Sequence, residues 1–159
     1  MISVDYINPF VSATLETLQV MAFSRPARGD PFVKTDCATQ GDVSGVIQFA
    51  GDAIGSVAVT FSSVLAAKIY SRMVGETVPE LTDEVRDAVG EIANMVAGGA
   101  KAALSEKGYS FQLTVPSVVV GKNHSIAHRG KGPYLVVPFH LEGETFWLEL
   151  SFATVKHRA

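Results

Sequence analysis

The stretch that decides the fold spans residues 81–108 and reads LTDEVRDAVGEIANMVAGGAKAALSEKG. At about 100° per residue, one side of a helix over this stretch carries a stripe of mostly polar positions within roughly 80° of one another. These positions are Asp83, Asp87, Glu91, Asn94, Gly98 and Lys101. The opposite side is apolar and carries Val85, Val89, Ile92, Val96 and Ala103. The stretch therefore predicts one long amphipathic helix, capped by Thr82 and ended by Gly108.

The composition of the chain is that of a folded protein. Apolar residues make up 47% of its 159 positions and charged residues 18%, which is typical of a globular and not of a disordered chain. A net charge of −3, without a run of lysine or arginine, argues against nucleic acid as a partner. Cys37 is the only cysteine, and the sequence has neither a membrane-span pattern nor a signal-peptide pattern. We therefore expect one cytoplasmic domain over residues 1–159, associated with neither membrane nor nucleic acid.

Shorter elements flank the long helix. Residues 5–23 predict a first helix, which begins either at Asn8-Pro9 or at Asp5 with Pro9 in its second turn. Another helix is predicted from Ser62 or Ser63 to about residue 74, ended by Gly75. Strand-like runs occupy residues 32–39, 43–50, 53–61, 111–120, 134–141 and 145–154.

The order of these elements predicts an α/β fold of the α+β type. Alternation of apolar and polar residues in runs 53–61 and 145–154 predicts strands on a sheet with one covered face. The sequence suggests two related halves, each a helix leading into three strands. In support, the first helix places Ser12, Glu16 and Gln19 at the same spacing as positions 87, 91 and 94 of the long helix. Any amphipathic helix can show polar residues at such offsets, so the spacing is compatible with duplication and with coincidence.

Glu91 and Asn94 are the side chains of the long helix that are best suited to a chemical role. A carboxamide can donate to an acceptor and accept from a water at once, so Asn94 can hold a water in line with a phosphorus atom. Phosphoryl transfer depends mostly on positioning and charge stabilisation. Glu91, one turn away, can pair with a lysine of a partner, and Asp87 adds charge to the same stripe. Gly98 and Gly99 leave this end of the helix open to the backbone of a partner.

The polar stripe also has a simpler interpretation. On an exposed helix, such a stripe is commonly only a solvated face. Each glycine inside a helix costs about 1 kcal/mol relative to alanine. The glycine pair can therefore be explained by close packing in the core as well as by a partner.

The motif Asp87-x3-Glu91-x2-Asn94, set in DAVGEIANMVAGGAKAAL, resembles the [Asp/Ser]-x3-Glu-x2-Asn signature of the CheC/CheX/FliY phosphatases of bacterial chemotaxis. The resemblance spans nearly the whole chain, from DYINPF at residues 5–10 through PSVVVG at residues 116–121 to the last strands. One strict copy of the signature, with a degenerate copy in the first helix, is most similar to CheX-type members. The resemblance implies a single domain of two pseudo-repeated halves, with the long helix packed on an antiparallel sheet.

The resemblance also implies a function. Members of this family dephosphorylate the aspartyl phosphate of a CheY-like response regulator, so Glu91 is expected to contact the regulator's lysine and Asn94 to orient the attacking water. The regulator binds the Mg²⁺, so the chain is expected to supply no metal ligand of its own. Asp87 and Gly98 are expected to support docking, and CheX-type members form homodimers in which sheets join across subunits. The copy in the first helix departs from the signature at Gln19, and we interpret Glu16 and Gln19 as structural.

Two other functions compete with the phosphatase. A module that binds a receiver domain or a flagellar switch component through the same helix, without hydrolysis, is the alternative. A small-ligand sensor has no sequence feature in its favour.

His124 and His128 have a metal-like i, i+4 spacing, but they lie in a glycine-flanked loop predicted over residues 121–133, where no third ligand is evident. Cys37 is interpreted as a small apolar strand residue and Trp147 as a core or subunit-interface anchor.

Overall fold

The computed structural model describes residues 4–129 and 132–155. Three helices lie in these residues, namely α1 (Val4–Ala22), α2 (Ser63–Val74) and α3 (Asp83–Glu106). The strands are β1 (Ala27–Arg28), β2 (Phe32–Lys34), β3 (Val43–Gly51), β4 (Ala53–Phe61), β5 (Phe111–Leu113), β6 (Ser117–Val120), β7 (Tyr134–Leu141) and β8 (Glu144–Thr154). No described helix combines the length and the apolarity that a bilayer span requires.

All described strands belong to one antiparallel sheet with the order β1-β7-β8-β4-β3-β5, in which β2 also pairs with β7 and β6 with β3. The centre of the sheet is the β4–β8 pair, where Val57 lies opposite Leu150. The two halves of the chain interlock, because β1 and β2 pair with β7 while β5 and β6 pair with β3. This arrangement places equivalent strands on either side of the central pair, and the predicted mixed α/β fold is confirmed.

The helices pack on one face of the sheet and enclose the main core. Large side chains that are fully buried there come from strands and helices alike, and include Phe10, Phe49, Phe61, Phe139, Phe146, Ile92 and Leu104. The long helix α3 lies close to β3 because Gly45 has no side chain. A Cβ atom at Gly45 would lie 2.7 Å from the Val89 carbonyl oxygen and 2.8 Å from Ala93 Cβ. This close contact fixes the apolar side of α3 against the sheet.

Local sequence chemistry sets the ends of the helices. The Thr82 hydroxyl accepts the Val85 N–H at 3.3 Å, and the Ser62 hydroxyl accepts the Leu65 N–H at 3.1 Å. Gly75 ends α2 in the left-handed conformation, with φ of +74°. Helix α1 begins at Val4, so Pro9 lies inside it, as in the second of the two predicted starts.

Several predicted strands have different limits in the structure. The run 111–120 is two strands, β5 and β6, which are separated by residues 114–116. The run 32–39 is a strand only over Phe32–Lys34, and Cys37 lies outside it. Residues 25–31, which follow α1 and lie outside every predicted strand, contain β1, which pairs with Phe139 and His140 of β7. These differences reflect pairing with strands that are distant in the sequence.

The prediction of one-sided strands is wrong for β4 and for the centre of β8. Both sides of β4 are buried, including Ser56 and Thr60, and Glu149 and Ser151 of β8 are buried as well. The reason is the segment at residues 121–129, which folds over the face of the sheet opposite to the three described helices. Its Ile126 packs with Val46 and Ala58 in a second, smaller core.

Candidate functional site

The polar stripe of α3 lies on the outside of the molecule, as its periodicity predicts. Asp87 and Glu91 are exposed, and Asn94 and Gly98 are partly exposed. Behind them, Val89, Ile92 and Val96 are buried against the sheet. The stripe is therefore presented by a helix whose opposite side is anchored in the core, which limits the movement of its side chains relative to the fold.

The polar groups of Glu91 and Asn94 are available to a ligand. Within residues 4–129 and 132–155, neither side chain has a hydrogen bond or an ion pair with the protein. They are three positions apart, so they point to the same side of the helix and are separated by about one turn. An exposed carboxylate next to an unoccupied carboxamide can bind a cation and hold a water at the same time.

A groove between α1 and α3 runs beside Asn94. It has a volume of about 480 Å³ and is lined by Ala13, Glu16, Thr17, Val20, Asn94, Met95, Gly98 and Gly99. Ala13 lies against Gly99, and Lys107 Nζ just after α3 donates to the Asp5 carbonyl at the start of α1, so the two helices run antiparallel. The sequence did not indicate that Glu16 of α1 shares a groove with Asn94, because the crossing of two helices is a tertiary feature.

The two glycines of α3 have different surroundings. A methyl group at Gly99 would lie 3.1 Å from Ala13 Cβ, whereas a methyl group at Gly98 would have no described atom within 4 Å. Gly99 thus lets α1 approach α3. Gly98 instead leaves an open position in the groove, next to Asn94 in space.

The degenerate copy of the signature in α1 differs from the copy in α3 in its contacts. Ser12 and Glu16 are exposed, but the amide oxygen of Gln19 accepts a hydrogen bond of 2.8 Å from Arg25 Nε. The Gln19 carboxamide is thus partly engaged, whereas that of Asn94 has no described partner. The structural interpretation of Glu16 and Gln19 remains a prediction.

The sequence does not predict a buried polar cluster that lies on the face of the sheet opposite to the described helices. Lys34 Nζ lies 2.5 Å from Glu149 Oε1, and His128 Nε2 lies 3.4 Å from the same oxygen. The side chains of Glu149 and His128 are 3% and 0% exposed. On the other side of its ring, His128 Nδ1 lies 2.6 Å from the Ser56 hydroxyl. The cluster ties β2 and the 121–129 segment to the centre of the sheet.

The other residues of chemical interest also have structural partners. Tyr134 stacks on His128 with ring centroids 4.4 Å apart, and burial, followed by the hydrogen bond from Cys37 Sγ, raises the pKa of its phenol. His124 Nε2 lies 2.5 Å from the Ser44 hydroxyl. Trp147 is half-buried and lines a cavity with Lys34, while His157 lies outside the described residues. In the part of the chain that the structure describes, no three His, Cys, Asp or Glu side chains form a cluster that could hold a metal ion.

Comparison with known proteins gives the family. A family model described as chemotaxis phosphatase CheX matches residues 43–140. The chain belongs to the CheX family. The CheY-P phosphatase CheX of Thermotoga maritima is 30% identical to it over 147 residues, which cover 91% of this chain and 94% of that protein.

Solved structures agree with this membership. The CheC-like superfamily protein from Shewanella sp. PV-4 superposes with a TM-score of 0.88 at 42% identity, covering 96% of this chain and 99% of that one. The CheX–CheY–BeF₃–Mg²⁺ complex from Borrelia burgdorferi contains a chain that superposes with a TM-score of 0.80 at 28% identity, covering 94% of this chain and 99% of that one. The CheX-like fold expected from the sequence is therefore confirmed.

Proposed function

We propose that this chain is a phosphatase that hydrolyses the aspartyl phosphate of a CheY-like response regulator, with Asn94 and Glu91 of α3 as its catalytic residues. The observation that carries the proposal is the pair of unengaged side chains, a carboxylate and a carboxamide one turn apart, on an anchored helix of a CheX-family protein. The Borrelia complex supports the class of partner, since it holds a CheX and a CheY together.

In this proposal, Asn94 positions the water that attacks the phosphorus atom. Its carboxamide oxygen accepts from a water, and its amide N–H donates to a phosphoryl oxygen or to the water itself. The water attacks the phosphorus atom, the bond from phosphorus to the aspartyl oxygen breaks, and the products are inorganic phosphate and a free carboxylate. Such a reaction gains most from a nucleophile held in line, because little covalent work falls to the protein.

In this proposal, Glu91 makes the docking contact with the regulator. Its exposed carboxylate is placed to pair with a lysine of the regulator, which fixes the angle at which Asn94 enters the phosphorylation site. Asp87, one turn before it, adds negative charge to the same surface, and the open position at Gly98 allows a partner backbone to approach. These roles make the stripe from Asp87 to Gly98 the contact surface for the regulator.

The metal ion in this proposal belongs to the partner. We assign the Mg²⁺ that neutralises the phosphoryl group to the response regulator, so that this chain contributes only the water-positioning and docking groups. The Borrelia complex is compatible with that assignment, because it contains Mg²⁺ and CheY together with CheX. The prediction is that EDTA stops dephosphorylation without changing the thermal unfolding of this chain.

The test is the decay of phosphate on a purified CheY-like receiver domain in the presence of Mg²⁺. The wild-type chain is expected to accelerate the decay, and Asn94→Ala is expected to lower the maximal rate by roughly 10². Asn8→Ala, the same substitution at an exposed position of α1 outside this groove, serves as the matched control and should leave the rate unchanged. Wild-type activity in Asn94→Ala would contradict the assignment, and binding without any accelerated decay would support the non-catalytic module instead.

The assembly is the remaining part of the proposal. We propose that residues 1–159 act as one domain in the cytoplasm and that two copies join edge to edge through their sheets. The outer strand β2 carries the exposed Phe32 and Val33, and exposed apolar residues on an edge strand favour pairing with another chain. Sedimentation of the purified protein tests the dimer, and a purely monomeric protein at micromolar concentration would contradict it.

A further inference from the structure

Two large apolar side chains are exposed at the C-terminal end of α1. Val20 is 62% exposed and Phe23 is 77% exposed. An isolated exposed apolar residue is ordinary and needs no explanation. These two differ, because they are three positions apart at one helix end and one of them has an unusual backbone conformation.

Phe23 adopts the left-handed conformation, with φ of +52°. Helices commonly end in this conformation, but the residue there is usually glycine, because a Cβ atom makes the left-handed region unfavourable. Helix α2 of the same chain follows the common pattern with Gly75. A phenylalanine at this place is therefore strained, and such strain is a sign that the side chain has a use.

The turn itself is held by Ser24 and does not need the ring of Phe23. Ser24 is buried, its N–H donates to the Leu18 carbonyl at 3.0 Å, and its hydroxyl donates to the Ala22 carbonyl at 2.8 Å. The same hydroxyl accepts a hydrogen bond of 2.8 Å from Arg72 Nη1. Glycine at position 23 would satisfy the same backbone geometry with less strain, so packing within the chain does not account for the exposed ring.

The position of this helix end connects it with the proposed site. Val20 lines the groove that also contains Asn94, Met95 and Gly98. Since α1 runs antiparallel to α3 and Ala13 lies against Gly99, α1 follows α3 from Ala13 to Val20 towards the half that carries Glu91, and Phe23 comes three residues after Val20. A partner that inserts Asn94 into its phosphorylation site would cover the end of α1 in the same approach.

We propose that Val20 and Phe23 form an apolar docking contact for the phosphorylated receiver domain, next to the polar contact made by Glu91. This inference rests on the proposed function. A few well-packed side chains near the centre of an interface commonly contribute most of its affinity, while a neighbouring charge sets the orientation. The partner surface expected here is an apolar patch beside the phosphorylated aspartate, with a lysine at its margin.

The test measures binding separately from hydrolysis. Affinity for a CheY-like receiver domain, activated with beryllofluoride and Mg²⁺, is determined by calorimetry for the wild-type chain, Phe23→Gly and Val20→Ser. We expect Phe23→Gly to weaken binding by about tenfold and, because glycine relieves the strain, to raise the melting temperature. Val64→Ser serves as the matched control for Val20→Ser, because Val64 is a helical valine that is 55% exposed on α2.

The outcomes distinguish this inference from the proposed function. Weaker binding of Phe23→Gly with an unchanged maximal rate at saturating receiver supports the docking contact, whereas Asn94→Ala should lose the rate and keep the affinity. If the wild type binds the receiver without accelerating hydrolysis of its aspartyl phosphate, the phosphatase proposal fails. The docking contact is then still tested by the affinity of Phe23→Gly. Unchanged affinity in Phe23→Gly, or a change of its oligomeric state in place of its affinity, overturns the docking contact.

Discussion

Gly99 of α3 lies directly against Ala13 of α1, so close that a methyl group at Gly99 would be 3.1 Å from the Cβ atom of Ala13. One residue earlier, Gly98 faces open space. Both glycines weaken the helix by about the same amount, roughly 1 kcal/mol each. Only Gly99 is explained by packing within the chain, which leaves the proposed contact with a partner as the explanation for Gly98.

Substituting each glycine by alanine separates these two roles. Gly98→Ala is expected to raise the free energy of unfolding by about 0.5–1 kcal/mol, because helix propensity improves and no clash arises. Gly99→Ala is expected to be less stable than Gly98→Ala by about 1–2 kcal/mol, since the Ala13 Cβ atom cannot rotate away and the helices must move apart. Urea unfolding of both variants measures the difference, and equal stabilities would contradict the packing role of Gly99.

Gly98→Ala is expected to bind the phosphorylated receiver less well, although the variant is more stable than the wild type. A methyl group in the groove beside Asn94 is expected to raise the KM for the phosphorylated receiver severalfold, because a close backbone contact is blocked. Steady-state kinetics on the same sample check this, and an unchanged KM would remove Gly98 from the docking surface.

Glu91→Gln is expected to raise KM about tenfold while the maximal rate changes little, because the carboxylate docks the partner and does not take part in the bond changes. Glu106→Gln is the matched control, since Glu106 is also exposed on α3 but lies about 22 Å along the helix. Raising the salt concentration should increase the KM of the wild type more than that of Glu91→Gln. A loss of maximal rate with unchanged KM would assign Glu91 to the chemistry instead.

Helix positions and ends were predictable because their causes are local. Thr82 and Ser62 cap helices with side chains that lie three residues from the N–H groups they accept, and Gly75 ends α2 through its own backbone freedom. The exposed stripe with Glu91 and Asn94 followed from the helical period alone. These features depend on neighbours within one or two turns, which the sequence displays directly.

The features that the sequence did not predict depend on distant contacts. Glu149 was expected on a solvated face, yet it is buried because Lys34 on β2 and His128 in the 121–129 segment approach it from remote parts of the chain. The short strand β1 exists only through its pairing with β7. Likewise, the strain at Phe23 follows from the buried Ser24, which no local pattern indicates.

The Lys34–Glu149 ion pair is expected to be required for stability. Lys34→Met should lower the free energy of unfolding by about 3 kcal/mol, because it leaves the Glu149 carboxylate buried with only His128 beside it. Adding Glu149→Met should restore most of that loss, since an apolar pair of similar volume removes the buried charge. Lys122→Met, at an exposed position, is the control. Additive losses in the double variant would contradict the pairing.

We expect the folded chain to lose stability at alkaline pH because of the buried phenol of Tyr134. Burial raises the pKa of its phenol above the ordinary value of about 10, with a further contribution from the hydrogen bond of Cys37. In this range the folded chain keeps the phenolic proton while the unfolded chain releases it. The contribution to stability is therefore complete below about pH 10 and is lost as the pH rises through the folded pKa.

Tyr134→Phe isolates this contribution from other groups that titrate in the same range. The variant should be less stable than the wild type near pH 8, because it loses the contact with Cys37 Sγ, which lies 3.9 Å from the phenolic oxygen. The difference should shrink or reverse near pH 11, since phenylalanine has no proton to release. Urea unfolding across that range, compared between the two chains, measures it. A difference that stays constant with pH would show that Tyr134 ionises in the folded chain at its ordinary pKa.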